Sequence, residues 1–273
     1  MKGAYGLRLA GKALPEALLD DAAEDWPTLE LVRRVGPAPA GDDRLGHERA
    51  SIRLVDDGRV EIERDPGRAT FTTKRPLGDD ELVHPYLGLA AAVYSRWLGR
   101  ESFHAGAFEA GGGAWIVAGE KAAGKSTLLA SLALRGLSVL ADDVVVLDGK
   151  DALAGPRSVD LRADTAAALG VGEDVTAPGG RERWRLPLPA ARARVPVTGW
   201  VFPAWADGPP EVASVPPNER LVRFARSRVL RVEPERPELL VELAALPAWE
   251  LRRSRGWDGL GDALDLLLAA LGG

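Results

Sequence analysis

The sequence predicts an α/β fold in which a small β-rich (α+β) N-terminal unit precedes a unit organised around a strand, a glycine-rich loop and a helix. Two tight-turn signals between alternating apolar segments predict the β unit within the first 100 residues. A buried strand that runs directly into the glycine-rich loop predicts the second unit. We therefore expect an N-terminal domain with its linking helix at 1–100 and a loop-bearing domain at 101–273.

The N-terminal unit contains the pattern of an antiparallel meander. Alternation predicts strands at Leu29–Val32, Ser51–Val55, Arg59–Glu63 and Ala69–Thr73, with turns at Asp56-Asp57-Gly58 and Asp65-Pro66-Gly67. A helix is expected from Pro85 to Arg96, because proline suits the first helical turn and Gly99 can end the helix. In this interpretation His84 caps the helix.

The second unit alternates strands and helices. Apolar runs predict strands at Ser102–Glu109, Ala114–Ala118, Leu137–Leu140, Val144–Leu147 and Thr198–Phe202. A helix is expected over Lys125–Arg135, closed by Gly136. Leu260, Leu264, Leu267 and Leu271 share one face of a C-terminal helix that Asp258 would cap.

Composition excludes several classes of function. The 273 residues include no cysteine, which excludes a disulfide framework and a thiolate metal site. The chain has only three histidines, which argues against a histidine-rich metal cluster. A net charge of −5 argues against a general nucleic-acid binder. No apolar run reaches the roughly 20 residues that span a bilayer, and Met1–Ala4 does not begin a signal peptide. We therefore expect a cytoplasmic protein that contacts neither nucleic acid nor membrane.

The glycine-rich loop fits the pattern G-x-x-x-x-G-K-[ST] at every defined position. It reads Gly119-Glu120-Lys121-Ala122-Ala123-Gly124-Lys125-Ser126 and is followed by Thr127. In this pattern the backbone N–H groups and the start of the following helix surround phosphate groups, the lysine neutralises the β and γ phosphates, and the serine hydroxyl binds Mg²⁺. The loop therefore predicts ATP binding with Mg²⁺.

Two adjacent aspartates, Asp142 and Asp143, follow the strand after the loop helix. If that strand lies beside the loop strand and runs parallel to it, both strands end at the same edge of the sheet and the carboxylates face the phosphates. One aspartate would bind Mg²⁺ and the other would accept a proton from an attacking hydroxyl. The alternative interpretation is an ordinary turn between two strands.

Three elements together resemble the kinase domain of HPr kinase/phosphorylase and its relatives, which shares a fold core with phosphoenolpyruvate carboxykinase. They are His104-Ala105-Gly106, the loop Gly119–Ser126, and Leu140-Ala141-Asp142-Asp143-Val144. The resemblance implies a P-loop kinase core of this type, with Asp142, Asp143, His104 and Lys125 as catalytic residues. His104 would lie near the transferred phosphoryl group; taken alone, it is a histidine at the end of a strand.

The chain departs from the family pattern in two places. Thr127 stands where the family usually has glutamate, and the Glu-Asn-Arg-Gly signature of true HPr kinases is absent. The chain looks more like divergent HPr-kinase-like proteins found beside peptide-modification genes, whose His-Pro helix also resembles Leu82-Val83-His84-Pro85. Because relatives of this kind assemble into rings, the resemblance leaves a homo-oligomer open.

Basic residues after the aspartates are further candidates for contacts with phosphate. Arg157 could clamp the γ phosphate, and Arg162 is a second candidate, although solvated arginines are common. The segment Arg181–Arg185 is either a mobile lid or acceptor groove, or a charged surface loop. Trp200 and Trp205 are expected to pack in the core or at a sheet edge.

The function predicted from the sequence is that of an ATP-dependent kinase acting on a hydroxyl. The acceptor would be a serine of a peptide or protein, or a small molecule. The pattern does not decide which aspartate is the base and which binds metal. The alternative from a different class is a nucleotide-binding regulatory protein without transfer activity, which would need the loop but no base.

Overall fold

The structure, a computed structural model, describes residues 1–272, with the side chains of all of these except Thr176 and Arg181. It is a mixed α/β protein with sheets of eight, nine and three strands, which agrees with the predicted α/β class. No helix within residues 1–272 is both long enough and apolar enough to cross a membrane.

The N-terminal sheet contains eight strands in the order β3-β1-β2-β4-β8-β7-β6-β5. The strands are β1 (Lys2–Ala4), β2 (Leu7–Gly11), β3 (Asp20–Asp21), β4 (Thr28–Val35), β5 (Arg44–Leu45), β6 (Arg49–Arg53), β7 (Arg59–Glu63) and β8 (Arg68–Thr73). The predicted meander is confirmed, since β6, β7 and β8 pair antiparallel in sequence order. Its second turn requires Gly67, which has φ +77° and where a Cβ atom would lie 2.6 Å from the Thr28 carbonyl oxygen.

The linking helix follows a break at His84. A short helix α1 (Asp79–Glu81) continues into a π-helical segment Leu82–Leu87, and the regular helix α2 covers Gly88–Trp97. The predicted start at Pro85 agrees with the backbone, since His84, immediately before the proline, is extended (φ −139° and ψ 119°) and Leu87 and Gly88 are already helical. Proline disfavours the helical conformation in the residue that precedes it.

The loop-bearing unit begins with two consecutive strands, β9 (Glu101–Phe103) and β10 (Ala105–Ala110), which are separated by His104. Its first half continues with β11 (Gly113–Ala118), α3 (Lys125–Leu134), β12 (Val139–Ala141), β13 (Val145–Asp148), β14 (Asp151–Leu153), β15 (Ser158–Leu161) and α4 (Ala163–Leu169). Its second half contains β16 (Glu173–Ala177), β17 (Arg181–Pro187), β18 (Arg194–Trp205), β19 (Glu211–Ser214), α5 (Pro217–Arg226), α6 (Pro237–Ala245), β20 (Ala248–Arg253) and α7 (Leu260–Ala270).

The order of strands corrects one expectation about the aspartates. The sheet runs β12-β10-β11-β18-β14-β13-β9, with β20 paired to β18, so β10 separates β12 from the loop strand β11. Both pairings of β10 are antiparallel, which makes β12 parallel to β11. The two strands therefore still end at the same edge. Gly106 in β10 admits the helix α3 closely, because a Cβ atom there would lie 2.1 Å from Leu129 Cδ1.

Several element boundaries also differ from the predicted ones. The segment Arg181–Arg185 lies in β17 of the three-stranded sheet, rather than in a surface loop. Gly259, and not Asp258, occupies the N-cap of α7, although the predicted apolar face of this helix is buried. The single predicted strand Ser102–Glu109 is two strands, β9 and β10, because they belong to opposite ends of the sheet order.

The two large sheets share apolar packing. The core around the N-terminal sheet includes Val144, Val146 and Leu153 of the loop-bearing unit. Gly88 of α2 approaches this unit closely, since a Cβ atom there would lie 2.9 Å from Val144 Cγ2. The N-terminal unit therefore packs directly behind the strand that follows the aspartate pair.

Candidate functional site

The glycine-rich loop connects the buried strand β11 to the start of α3, as predicted from its sequence. Gly119 and Gly124 have φ +153° and +90°, and Ala122 also has a positive φ of 66°. These values let the backbone curl around the mouth of the helix. A side chain at Gly124 would also be crowded, because its Cβ atom would lie 3.1 Å from the Trp205 ring.

Lys125 lies folded over the loop. Its Nζ atom donates hydrogen bonds to the carbonyl oxygens of Gly119 at 2.9 Å and Glu120 at 3.0 Å, and the residue is only 8% exposed. Burial lowers the pKa of Lys125, while the nearby aspartates act in the opposite direction. The ammonium group is therefore held where it can exchange two carbonyl contacts for phosphate oxygens.

Asp142 faces the first turn of α3. Its Oδ1 atom accepts a hydrogen bond from Ser126 Oγ at 3.0 Å, and its Oδ2 atom accepts one from the backbone N–H of Asp160 at 3.3 Å. Burial, followed by the neighbouring charge of Asp143, raises the pKa of Asp142. The serine and carboxylate oxygens have the spacing of adjacent ligands around Mg²⁺, which lie about 3 Å apart when each is about 2.1 Å from the ion in octahedral geometry.

Asp143 has different surroundings from its neighbour. His104 Nδ1 lies 3.1 Å from Asp143 Oδ1 and 3.0 Å from its backbone oxygen, and His84 Nδ1 lies 3.5 Å from Oδ2. Burial raises the pKa of Asp143, but the hydrogen bond from His104 and the nearby basic side chains outweigh it and hold the pKa below its ordinary value. This aspartate also has a positive φ of 67°.

His84 is a site residue that sequence reasoning missed. It was expected to cap the linking helix, whereas in the structure it reaches Asp143. The similarity of Leu82–Pro85 to the His-Pro element of the divergent relatives was the available signal. Pattern reasoning alone could not find this contact, because it joins the N-terminal unit to the edge of the second sheet.

A buried ion-pair network supports the aspartates from behind. Arg185 donates from Nε and Nη2 to the two carboxylate oxygens of Asp160, both at 2.7 Å, and from Nη1 to Asp80 Oδ1 at 2.6 Å. The Asp160 and Arg185 side chains are only 2% and 5% exposed. Because the backbone N–H of Asp160 contacts Asp142, this network positions the carboxylate that faces Ser126.

The arginine expected at the phosphates is elsewhere. Arg157 donates from Nη2 to the Ala17 carbonyl oxygen at 2.6 Å and its Nε lies 3.5 Å from Asp20 Oδ1, so it is held against the N-terminal unit. It does not line either of the clefts that meet at the loop. Arg162 does line one of them. The expectation for Arg157 is therefore corrected, since β15 turns its guanidinium towards the first sheet.

Arg253 takes the place that was expected for Arg157. It is 4% exposed, its guanidinium lies 4.3 Å from the centroid of the Trp205 ring, and its Nη2 atom would lie 3.1 Å from a Cβ atom at Gly124. No carboxylate of residues 1–272 lies within 4.0 Å of it, and burial lowers its pKa. Trp205 in turn donates from Nε1 to the Ala122 carbonyl oxygen at 2.8 Å. A buried arginine beside the loop is thus left with an unpaired charge.

Two clefts meet at the loop. The first cleft, of about 1310 Å³, is reached by Gly119, Glu120 and Ala123, and the second cleft, of about 680 Å³, by Gly124–Thr127 and Asp142. Residues that line both clefts are Pro85, His104, Lys121, Ala122, Asp143, Trp205 and Arg255. The boundary between the clefts therefore lies at the His104–Asp143 contact. Within residues 1–272, no group of three or more His, Cys, Asp or Glu side chains is arranged to hold a metal ion.

Comparison with known proteins gives a distant structural likeness. No protein-family model and no curated protein matches the chain. Among solved structures, the chain is similar to the HPr(Ser) kinase/phosphatase from Coxiella burnetii, with 14% sequence identity, a TM-score of 0.34, and coverage of 63% of this chain and 90% of that one. At this level the similarity decides neither the details of the fold nor the activity.

Proposed function

We propose that this protein is an ATP-dependent phosphotransferase that moves the γ-phosphoryl group to a hydroxyl with the help of Mg²⁺. The hydrogen bond of 3.0 Å between Ser126 Oγ and Asp142 Oδ1 carries the proposal, because it joins the loop serine to the acidic pair at the mouth of the helix. The resemblance of His104, the loop and the two aspartates to HPr-kinase-like proteins supports the same assignment.

The loop and its neighbours bind the triphosphate. The backbone N–H groups of the loop and the N-terminus of α3 attract the phosphate oxygens. Lys125 exchanges its contacts with two carbonyl oxygens for the β and γ phosphates, and Arg253 provides a second positive charge beside Gly124. Ser126 and Asp142 would hold Mg²⁺, which shields the negative charge of the phosphates when it is bound.

The two aspartates divide the remaining roles. Asp143 accepts the proton of the acceptor hydroxyl as the new bond from the acceptor oxygen to the γ phosphorus forms and the bond to the β–γ bridging oxygen breaks, so that ADP leaves. His104 and His84 hold the Asp143 carboxylate ionised and in position for this transfer. The acceptor that we propose is a serine of a peptide or protein.

The test measures binding and transfer separately. The protein is incubated with γ-labelled ATP, Mg²⁺ and serine peptides or small hydroxyl compounds, in parallel with Asp142→Asn, Asp143→Asn and the exposed control Asp262→Asn. We expect Asp142→Asn to lose the dependence of nucleotide affinity on Mg²⁺. We expect Asp143→Asn to bind Mg²⁺–ATP but to transfer about 10³-fold more slowly. The control should behave as the unaltered protein.

Two results would contradict the proposal. The first is Mg²⁺–ATP binding that is the same in Asp142→Asn as in the unaltered protein. The second is tight nucleotide binding without transfer to any hydroxyl, which would favour a regulatory protein. Transfer to small hydroxyl compounds but to no peptide would keep the activity and change the class of acceptor.

A further inference from the structure

The rim of the first cleft carries an unusual concentration of unpaired positive charge. Four arginines line it whose guanidinium groups have no carboxylate of residues 1–272 within 4.0 Å. These are Arg53, Arg226, Arg231 and Arg255, all exposed. The whole chain has 40 acidic and 35 basic residues other than histidine, so an excess of acidic partners exists elsewhere in the molecule. Their absence at this rim produces a local positive potential on an acidic protein.

Two further arginines of the same cleft form ion pairs with glutamates and therefore have a structural role. Arg223 contacts Glu219 at 2.9 Å and also pairs with Glu250, and Arg228 contacts Glu101 at 3.0 Å. Both pairs fix elements of the fold to one another. The four arginines make no such ion pair, although Arg231 Nη2 donates to the Arg226 carbonyl oxygen at 3.5 Å and the Arg255 guanidinium lies 5.5 Å from the centroid of the Trp205 ring. Among the residues described, the acidic residues that line this cleft are only Glu120 and Asp143.

The position of the loop indicates that the nucleotide binds in the second cleft and the acceptor in the first. This step rests on the proposed function. Ser126, Thr127 and Asp142 line the second cleft, so the metal-bound phosphates and the nucleoside beyond them belong there. The γ phosphate then lies at the boundary, beside His104 and Asp143. An acceptor hydroxyl that approaches Asp143 from the side away from the nucleotide has to enter through the first cleft.

We infer that the first cleft binds a peptide segment in which acidic side chains flank the hydroxyl residue that is phosphorylated. The arginines come from separate parts of the chain, namely the end of β6, the end of α5 with the segment after it, and the segment after β20. Arginine is suited to carboxylates because its planar guanidinium can bind both oxygens at once.

The size and lining of the cleft favour a peptide over a small polyanion. Its volume of about 1310 Å³ exceeds the roughly 300–1,000 Å³ of small-molecule pockets. Between the arginines lie apolar side chains, which a compact hydrated anion does not use. They include Leu54, Tyr86, Phe202 and Val229. A peptide can place apolar side chains on this floor and acidic ones on the rim.

The experiment measures peptide binding directly. Fluorescent serine peptides flanked by glutamate, glutamine or lysine are titrated into the full chain loaded with a non-hydrolysable ATP analogue and Mg²⁺. We expect the glutamate peptide to bind about tenfold more tightly than the glutamine peptide, with a preference that falls as salt rises. The double variant Arg226→Glu/Arg231→Glu should lose this preference and gain affinity for the lysine peptide. Arg34→Glu, an exposed arginine that lines neither cleft, is the control.

Each alternative result overturns the inference in a recognisable way. Equal affinity for the three peptides, or a preference that survives the double variant, removes the role of the arginines. If an oligonucleotide or inorganic polyphosphate competes as well as an unlabelled glutamate peptide of the same charge, the cleft does not select a peptide and the inference is rejected. Because transfer to serine peptides is measured separately, transfer without any preference for acidic flanks rejects this inference and leaves the proposed phosphotransferase activity intact.

Discussion

The N-terminal sheet and the loop-bearing sheet bury charge in different ways. Both have an apolar interior, with residues such as Ile62 and Ile116 fully buried. In the first sheet, the buried Arg59 donates to the carbonyl oxygens of Gly41 and Asp42 and to Ser51 Oγ, and its Nη1 atom lies 3.9 Å from a counter-charge at Asp43 Oδ1. Beside the second sheet, the hydrogen bonds of Lys125 Nζ within the described part of the chain go only to loop carbonyls. The only hydrogen bond that the Arg253 guanidinium makes within residues 1–272 is to the adjacent carbonyl oxygen of Ser254.

This difference separates stability from function within one chain. A buried charge without a counter-charge destabilises the fold, so it is retained where a ligand supplies the missing partner. The N-terminal sheet contains no such group among its described residues. We therefore expect substitutions in the first sheet to affect unfolding and substitutions at the loop to affect phosphoryl transfer.

The largest effect is expected for Lys125→Ala. Transfer should fall by about 10³-fold, because a charge that acts on the developing negative oxygens is removed. The midpoint of thermal unfolding should change little, since the two carbonyl oxygens that lose Nζ can bind water instead. Single-turnover kinetics and calorimetry measure the two quantities. Lys74→Ala, an exposed lysine of the first sheet, is the matched control. A variant that unfolds far more easily than the control would remove the contrast between the sheets.

The converse change is Ile62→Ala in the core of the first sheet. This residue has no exposed surface, and the cavity left by the substitution should lower the free energy of unfolding by about 3 kcal/mol. Denaturant titration measures this loss, and Val35→Ala at an exposed position of the same sheet should have almost no effect. Transfer by the folded fraction should remain close to that of the unaltered protein. A loss of transfer under conditions where the variant is fully folded would contradict the comparison.

Local sequence was sufficient to predict the parts of the site that lie close together along the chain. The loop motif includes its own strand and helix, so the context of Lys125 and Ser126 could be read directly. The approach of Asp142 to Ser126 was also anticipated, although β10 rather than direct pairing lies between their strands. The prediction succeeded because β10 pairs antiparallel with both β11 and β12, so that β11 and β12 run in the same direction.

The contacts that sequence could not predict depend on distant elements. Arg253 and Trp205 reach the loop because β18 and β20 pair in parallel beside β11, and no local pattern specifies that order. His84 reaches Asp143 from the other unit. Arg157 was predicted to contact phosphate because it follows the aspartates along the chain. In the structure its backbone N–H donates to the Leu18 carbonyl oxygen and its guanidinium donates to the Ala17 carbonyl oxygen, so both groups contact the N-terminal unit.

A smaller effect is expected for Arg185→Lys, which tests whether the loop-bearing unit needs its paired charges for support. Lysine keeps the charge but cannot bind both oxygens of Asp160 and also reach Asp80. The free energy of unfolding should fall by about 1.5–3 kcal/mol, and the affinity for Mg²⁺–ATP should weaken because Asp160 positions Asp142. The control Arg194→Lys alters an exposed pair with Asp148 and Asp151 and should change little. Equal effects at the two positions would show that burial of the network contributes nothing.

The smallest effect is a pH dependence of stability due to Glu250. This carboxylate belongs to the second sheet, but it has charged partners, as Arg59 of the first sheet does. Burial raises its pKa, but hydrogen bonds from Arg223 and Arg252 outweigh this and lower the pKa in the folded state. Its contribution to stability is therefore present above the ordinary pKa of 4.5 and is lost as the pH falls through the lowered value. Glu250→Gln should destabilise the protein by about 1 kcal/mol near neutral pH and by progressively less in acid, when unfolding is measured from pH 7 downwards. Glu211→Gln, whose contact with Arg252 is exposed, should show no such slope. A destabilisation that is independent of pH would mean that Glu250 stabilises the protein through packing. It would contradict the explanation that Glu250 acts through its ion pairs with Arg223 and Arg252.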